Sequence, residues 1–375
     1  MNALLLALFL VPSQARAFAL TGQSLSVGYN STPALSTAQT QGNTSWTGNN
    51  GSADAPTQGA VPSTTASLVE ASVESPRAAI ANCYESITGE PLLAMSNGVN
   101  NTAYSGLKRG TAPWTRLVNM LESYGARIGG SFLGLAVIHG ESDRLSSTYC
   151  TDLAEWQSDM EALSARVGTG TSVPLYVSQM SSCTFYTTTS LDTCVAPMQQ
   201  YTCAKNNPDI LLVGPKYHLT HPDGVHLTNA TSRRHGEEIG KAMAHGPTWT
   251  GLRPSAVSAN GAAISITFHV PVPPLVLDTS AVSDPGNYGF TYTDAGTPPA
   301  ISSVELAGDD TVVVTLASTP TGENRRIRYA YTGTSGASAG PTTGMRGNLR
   351  DSDTTTCGSG TMLRNWSVHF EEAVP

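Results

Sequence analysis

Charge is scarce in this sequence. Only 13% of its 375 residues are Asp, Glu, Lys or Arg, and the basic ones gather into no run. With a net charge of −8, the chain offers no electrostatic footprint for nucleic acid or for an anionic membrane surface. Long apolar stretches are missing too. The N-terminal run over residues 4–11 is too short to cross a bilayer, and no later segment is long and apolar enough to do so. The six cysteines form no CxxC pair, and no third ligand stands at metal spacing beside His218 and His221, so neither a metal nor another cofactor is expected.

What is present is glycine, 36 residues of it, with abundant serine and threonine, a mixture that suits long loops and β-structure under a hydroxyl-rich surface. A length of 375 residues points to two domains. Residues 1–17 read as a secretory leader, with an apolar core ahead of the small-residue site Ala15-Arg16-Ala17. Against this, no Lys or Arg precedes the core, and the same run could instead pack into the first strand. Export is the expectation, with a cytoplasmic or virion-associated protein as the alternative. An exported chain with six cysteines favours one to three disulfides, of which Cys183 with Cys194 closes the shortest loop.

Short apolar runs and amphipathic stretches alternate about five times between residues 18 and 245. Residues 18–20, 91–98, 132–138, 173–177 and 209–213 read as strands. Helices are expected from Pro76, from Pro113, from an Asp152 cap and over residues 229–244, whereas residues 30–67 read as a long polar surface excursion. This order predicts a parallel sheet of about five strands with helices on both faces, over residues 18–250. From 251 to 375, short strand-like runs between Pro, Gly and Asp turns predict an antiparallel β-sandwich with a structural or carbohydrate-contacting role.

In a parallel sheet the ligand sits beyond the carboxyl ends of the strands, and each chemistry-bearing motif lies just after a strand's last apolar residue. Gly22-Gln23-Ser24 follows the first. A serine hydroxyl needs a base to take its proton, and the base needs a carboxylate to orient it. Asp223 and His226, three residues apart across Gly224, supply both on one turn. The oxyanion of an acyl-transfer intermediate needs donors, for which the candidates are the N–H of Ser24, an N–H from Gly98 or Asn101, and the side chain of His139.

Gly22-Gln23-Ser24, the loop around Gly98, His139-Gly140-Glu141-Ser142-Asp143 and Asp223-Gly224-Val225-His226 resemble, in order, the four sequence blocks of SGNH hydrolases. Their Gly-Gln-Ser start resembles the sialate O-acetylesterase and acetylxylan-esterase-like branch. The resemblance covers residues 18–245. It implies a three-layer α/β/α, flavodoxin-like fold and metal-free ester hydrolysis through an acyl-serine, commonly of acetyl groups on sugars. It also implies Ser24 as nucleophile, His226 as base, Asp223 as its orienter, and Gln23 and Glu141 in support. The chain departs from the branch where His139 replaces a usual Gln and Asn100-Asn101-Thr102 a usual Gly-Gly-Thr. The expected function is a serine esterase acting on an acetylated polysaccharide or glycan. Its rivals are a lipase or thioesterase of the same fold and a catalytically weak glycan-binding or virion-surface protein.

Overall fold

The computed structural model describes residues 16–49 and 61–375. The leader expected over residues 1–17 lies outside these except for Arg16 and Ala17, which open the first strand. Strands β1 (Arg16–Gly22), β2 (Thr44–Trp46), β3 (Thr65–Ser67), β4 (Leu92–Ser96), β5 (Phe132–Ile138), β6 (Leu175–Ser178) and β7 (Ile210–Gly214) form one sheet in the order β3-β2-β4-β1-β5-β6-β7. All neighbours pair in parallel except β2 with β3.

The expected five parallel strands run from β4 to the edge at β7. The opposite edge differs from expectation: two short strands arise inside the polar tract, where Trp46 buries its ring and Asn43 Oδ1 and Asn49 Oδ1 accept from the backbone of Leu92 and Ser96. Side-chain hydrogen bonds therefore replace the missing apolar periodicity there.

Strand side chains alternate between two layers, as a period of two requires. Phe18, Leu20, Ala94, Ala136 and Ile138 face helices α1 (Pro76–Thr88) and α5 (Asn229–His245). Ala19, Leu93, Met95, Leu135 and Val137 face α2 (Ala112–Arg127), α3 (Tyr149–Arg166) and α4 (Ala196–Asn206). Each large apolar chain buried this way contributes roughly 1.5–3 kcal/mol. A charge at Leu20 or Val137 would remove that gain and leave an ion without water.

Helix starts are chemically marked. Ser75 and Thr111 cap α1 and α2 by accepting from Arg77 N and Trp114 N, and each helix has proline in its first turn. The third helix begins at Tyr149 rather than at an Asp152 cap, and Asp152 sits in its first turn, where a carboxylate favours the helix dipole.

The remaining chain is antiparallel β-structure. Strands β8 (Arg253–Asn260), β9 (Ala263–His269), β12 (Ile301–Ala307) and β13 (Thr311–Leu316) make one sheet. A second holds β11 (Phe290–Thr293), β14 (Arg326–Tyr329) and β16 (Phe370–Ala373), and β10 (Val276–Leu277) pairs with β15 (Leu349–Arg350). Ile266, Phe268 and Val314 pack against Phe290, Tyr329 and Phe370 between the sheets, with Phe268 and Phe370 edge to face at 6.0 Å.

The two halves are tightly joined. Tyr217 Oη donates to Ser367 O at 2.7 Å, and Gln179 donates to and accepts from the backbone of His369. Disulfides link Cys183 with Cys194, as the short loop suggested, and Cys83 of α1 with Cys357, 274 residues later. Cys150 and Cys203 are free thiols.

Candidate active site

β1 ends in a position only glycine can fill. Gly22 has φ +135°, and a methyl group there would lie 2.0 Å from Ile138 O. The close contact lets Gln23 N donate to Ile138 O, and the chain then winds into turns in which Tyr29 N donates to Ser24 O. Ser24 is thereby placed at the carboxyl end of the sheet, on the wall of a cavity of about 490 Å³. That volume lies in the range of small-molecule sites.

Asp223 and His226 sit on the turn between β7 and α5. Oδ1 of Asp223 accepts from Val225 N and His226 N at 3.0 and 2.7 Å, which fixes the turn. Its Oδ2 lies 2.7 Å from His226 Nδ1 and also accepts from Asn30 Nδ2. His226 Nε2 is 2.8 Å from Ser24 Oγ. A carboxylate accepts only, so Nδ1 carries the proton and Nε2 presents its lone pair to the serine hydroxyl. The ring of Tyr29 lies against the imidazole, with centroids 4.8 Å apart. Partial burial pushes the Asp223 carboxyl up, but the hydrogen bonds from His226, Val225 and Asn30 outweigh it and hold the pKa at about 2.

This depression sets a pH dependence. A group whose folded pKa falls below its ordinary value of 3.8 adds stability that is fully present above that value and is lost as pH drops toward 2. The thermal midpoints of the parent and of Asp223→Asn should differ at neutral pH and converge between about pH 4 and 2. A gap that stays constant over that window contradicts the assignment.

Gly98 and Asn101 take different places. Segment 97–99 runs on beside β1, with Val99 N donating to Gly22 O, and a methyl at Gly98 would lie 2.2 Å from Ser26 Oγ. Gly98 thus lets two backbones approach behind the serine turn. Asn100 and Asn101 line the cavity itself, and Asn101 has a left-handed backbone with φ 51°. Gln23 lines it as well, and its Oε1 accepts from Ser142 N, tying the first block to the third.

His139 was expected to aim a side-chain donor at the oxyanion; the structure turns it the other way. It is fully buried, Nε2 lies 3.0 Å from Thr102 O, and Nδ1 lies 2.7 Å from Tyr149 Oη. Burial holds the ring neutral. Since Thr102 O can only accept, Nε2 donates and Nδ1 accepts from the tyrosine hydroxyl, so neither nitrogen is left for a substrate. His139 instead pins the Asn100-Asn101-Thr102 loop. Replacing it by Ala should lower the melting temperature and reduce kcat about tenfold, the rate equivalent of ~1.4 kcal/mol, by loosening that loop. A kcat within twofold of the parent would show that the loop holds without it.

Glu141 lies at the cavity floor, 1% exposed, with Oε1 3.6 Å from Nζ of the fully buried Lys216. The sequence does not point to Lys216 behind the site, because lysine normally reads as surface and its partner is far away in sequence. Arg144 is the one cation among the cavity's described residues. Its guanidinium stacks 4.4 Å above the Tyr186 ring and donates to Glu141 O. His218 and His221 do not reach the cavity. His218 contacts Glu238 and stacks on Trp366, and His221 is buried with its pKa lowered by desolvation to about 3. Among the described residues, no group of three or more His, Cys, Asp or Glu could hold a metal, and no helix is long and apolar enough to cross a membrane.

No family model matches the chain, and no curated protein matches it. Solved structures do. A carbohydrate acetylesterase from Xanthomonas citri superposes with a TM-score of 0.62 over 95% of this chain and 80% of its own, at 12% identity. A protein from Arabidopsis thaliana gives a TM-score of 0.45 at 17% identity, over 62% of this chain and 99% of its own. A carbohydrate acetylesterase from Sinorhizobium meliloti gives 0.35 at 12%, over 61% and 99%. The first of these likenesses establishes a shared fold, an α/β core with a β-rich C-terminal part.

Proposed function

We propose that the chain is a serine esterase that removes acetyl or other short acyl groups from carbohydrate through an acyl-serine intermediate. The observation that carries this is the unbroken relay from Asp223 through His226 to Ser24, with heavy-atom distances of 2.7 and 2.8 Å, on the wall of an open cavity. The fold shared with a carbohydrate acetylesterase supports it.

In this mechanism Ser24 Oγ attacks the ester carbonyl while its proton passes to His226 Nε2, and Asp223 stabilises the resulting imidazolium through Nδ1. The tetrahedral oxyanion is held by the N–H groups of Ser24 and Asn101, without His139. Its collapse breaks the bond to the sugar oxygen, which takes the proton from His226 and leaves as the alcohol. Water, deprotonated by the same nitrogen, then attacks the acyl-serine and releases the carboxylic acid and free Ser24.

The test is a series of p-nitrophenyl esters together with acetate release from acetylated polysaccharides. Turnover should be highest for acetate and fall steeply beyond four carbons, and acetate should be released from at least one polysaccharide. A preference for octanoate or longer would favour the lipase or thioesterase alternative. Export forms part of the same proposal, since a secreted esterase meets extracellular glycans.

A further inference from the structure

The cavity around Ser24 has a neighbour. A second one, of about 540 Å³, opens in the β-half and is walled by Thr291, Thr332, Thr334, Thr342, Arg346 and the backbone of several glycines. Among its described lining residues there is no carboxylate and no aromatic ring, so an acyl chain finds little apolar surface and a polyol finds many hydroxyl and amide partners. Arg346 forms a fixed wall, since Nε donates to Ser283 O and Nη1 to Gly344 O. The hydroxyl of Thr291 is buried without a hydrogen-bond partner among the described residues.

Two features tie this cavity to the catalytic one. The first is a shared ridge. Thr184 Oγ1 donates to Ala337 O, and Gly336 N donates to Thr184 O. Ala339 N reaches Gly224 O, next to Asp223. Ala337 lines the second cavity and Phe185 the first, so one strip of chain separates them. Phe185 stands on that strip with 42% of its surface exposed, a flat apolar face of the kind that packs against the C–H face of a pyranose.

The second feature is where the backbone is strained. Seven non-glycine residues of the described chain have left-handed backbones. Asn30, Asn101 and Thr187 border the catalytic cavity: Asn30 holds Asp223, Asn101 is in the wall, and Thr187 follows Tyr186. Asn287 and Tyr288 lie between the second cavity's Gly286 and Gly289, and Ala330 bonds to Gly289 O. Asn324 alone lies elsewhere. Such strain persists where the surroundings over-determine it and clusters at ligand clamps, and here it marks both cavities alike.

We infer that the second cavity is a glycan subsite, so that the protein engages a chain of sugars: the acylated unit at Ser24, an adjoining unit on Phe185, and a further unit among the threonines. The inference rests on the esterase proposal for the identity of the first site and adds that the substrate is an oligo- or polysaccharide rather than a small ester.

The experiment compares the parent with Thr334→Trp and Thr342→Trp, two exposed positions where the indole fills the second cavity. The substrates are p-nitrophenyl acetate and a panel of chemically acetylated soluble polysaccharides differing in backbone. The expected result is a KM for the best polysaccharide raised at least tenfold in both variants, with p-nitrophenyl acetate turnover within twofold. Unchanged polysaccharide KM, parallel loss on both substrates, or a parent that cleaves p-nitrophenyl acetate but no polysaccharide would overturn it.

Affinity electrophoresis gives a readout without hydrolysis. The deacetylated polysaccharides should retard Ser24→Ala, and adding Thr334→Trp should abolish the shift; no retardation, or retardation untouched by Thr334→Trp, counts against the subsite. A parent without any turnover of p-nitrophenyl acetate would sink the esterase proposal instead and leave this binding readout to decide the subsite.

Discussion

Replacing Ser24 by Ala should cut kcat for p-nitrophenyl acetate roughly 10,000- to 1,000,000-fold, ~5.5–8 kcal/mol of transition-state stabilisation, while the fold stays intact. The size follows from the proposed chemistry. In that mechanism Ser24 Oγ is the atom that forms the new bond, and without it His226 and Asp223 have nothing to activate, so the residual rate is that of water held beside the oxyanion donors. Only an oxygen on the wall of the turn is lost, and the backbone bonds of Gln23 and Tyr29 that shape that turn remain. Melting temperature and rate should therefore separate: the first nearly unchanged, the second collapsed. A variant with more than a tenth of the parent rate would remove the nucleophile from the proposal.

The second large effect concerns stability. Lys216 and Glu141 are both fully buried as side chains, and the ammonium also contacts Gln179 O and Ser178 Oγ. Lys216→Met should cost about 3–5 kcal/mol, because it strands the Glu141 carboxylate away from water. The double variant Lys216→Met with Glu141→Gln should regain most of this, since no buried charge is then left over. Urea unfolding of the parent, both single variants and the double variant measures the coupling directly. If the double variant is no more stable than Lys216→Met, the pair is not the source of the loss.

These two residues show where the sequence is and is not legible. The proposed triad of Ser24, Asp223 and His226 can be read from it because such chemistry needs fixed residue types on turns that follow apolar strands. The alternation of strand and helix gives the parallel sheet for the same reason: period-two and 3.6-residue patterns are local. Lys216 follows no local pattern, since its burial depends on Glu141 arriving from another loop.

His139 misled for a related reason. A histidine ending a strand can point into the cavity or back into the core, and Tyr149 and Thr102 O, which decide between these, come from elsewhere in the chain. The edge strands β2 and β3 were hidden because Asn43 and Asn49, rather than an apolar repeat, secure that edge. The Cys83–Cys357 bridge spans the whole fold and follows from its closure.

The most direct measurement is covalent trapping. A fluorophosphonate should form one Oγ–P bond at Ser24, releasing fluoride as His226 takes the proton, and peptide mass spectrometry should find a single adduct whose occupancy tracks the loss of activity. Full inactivation with Ser24 unmodified, or undiminished hydrolysis by protein carrying the adduct there, would contradict the assignment of Ser24 as the nucleophile.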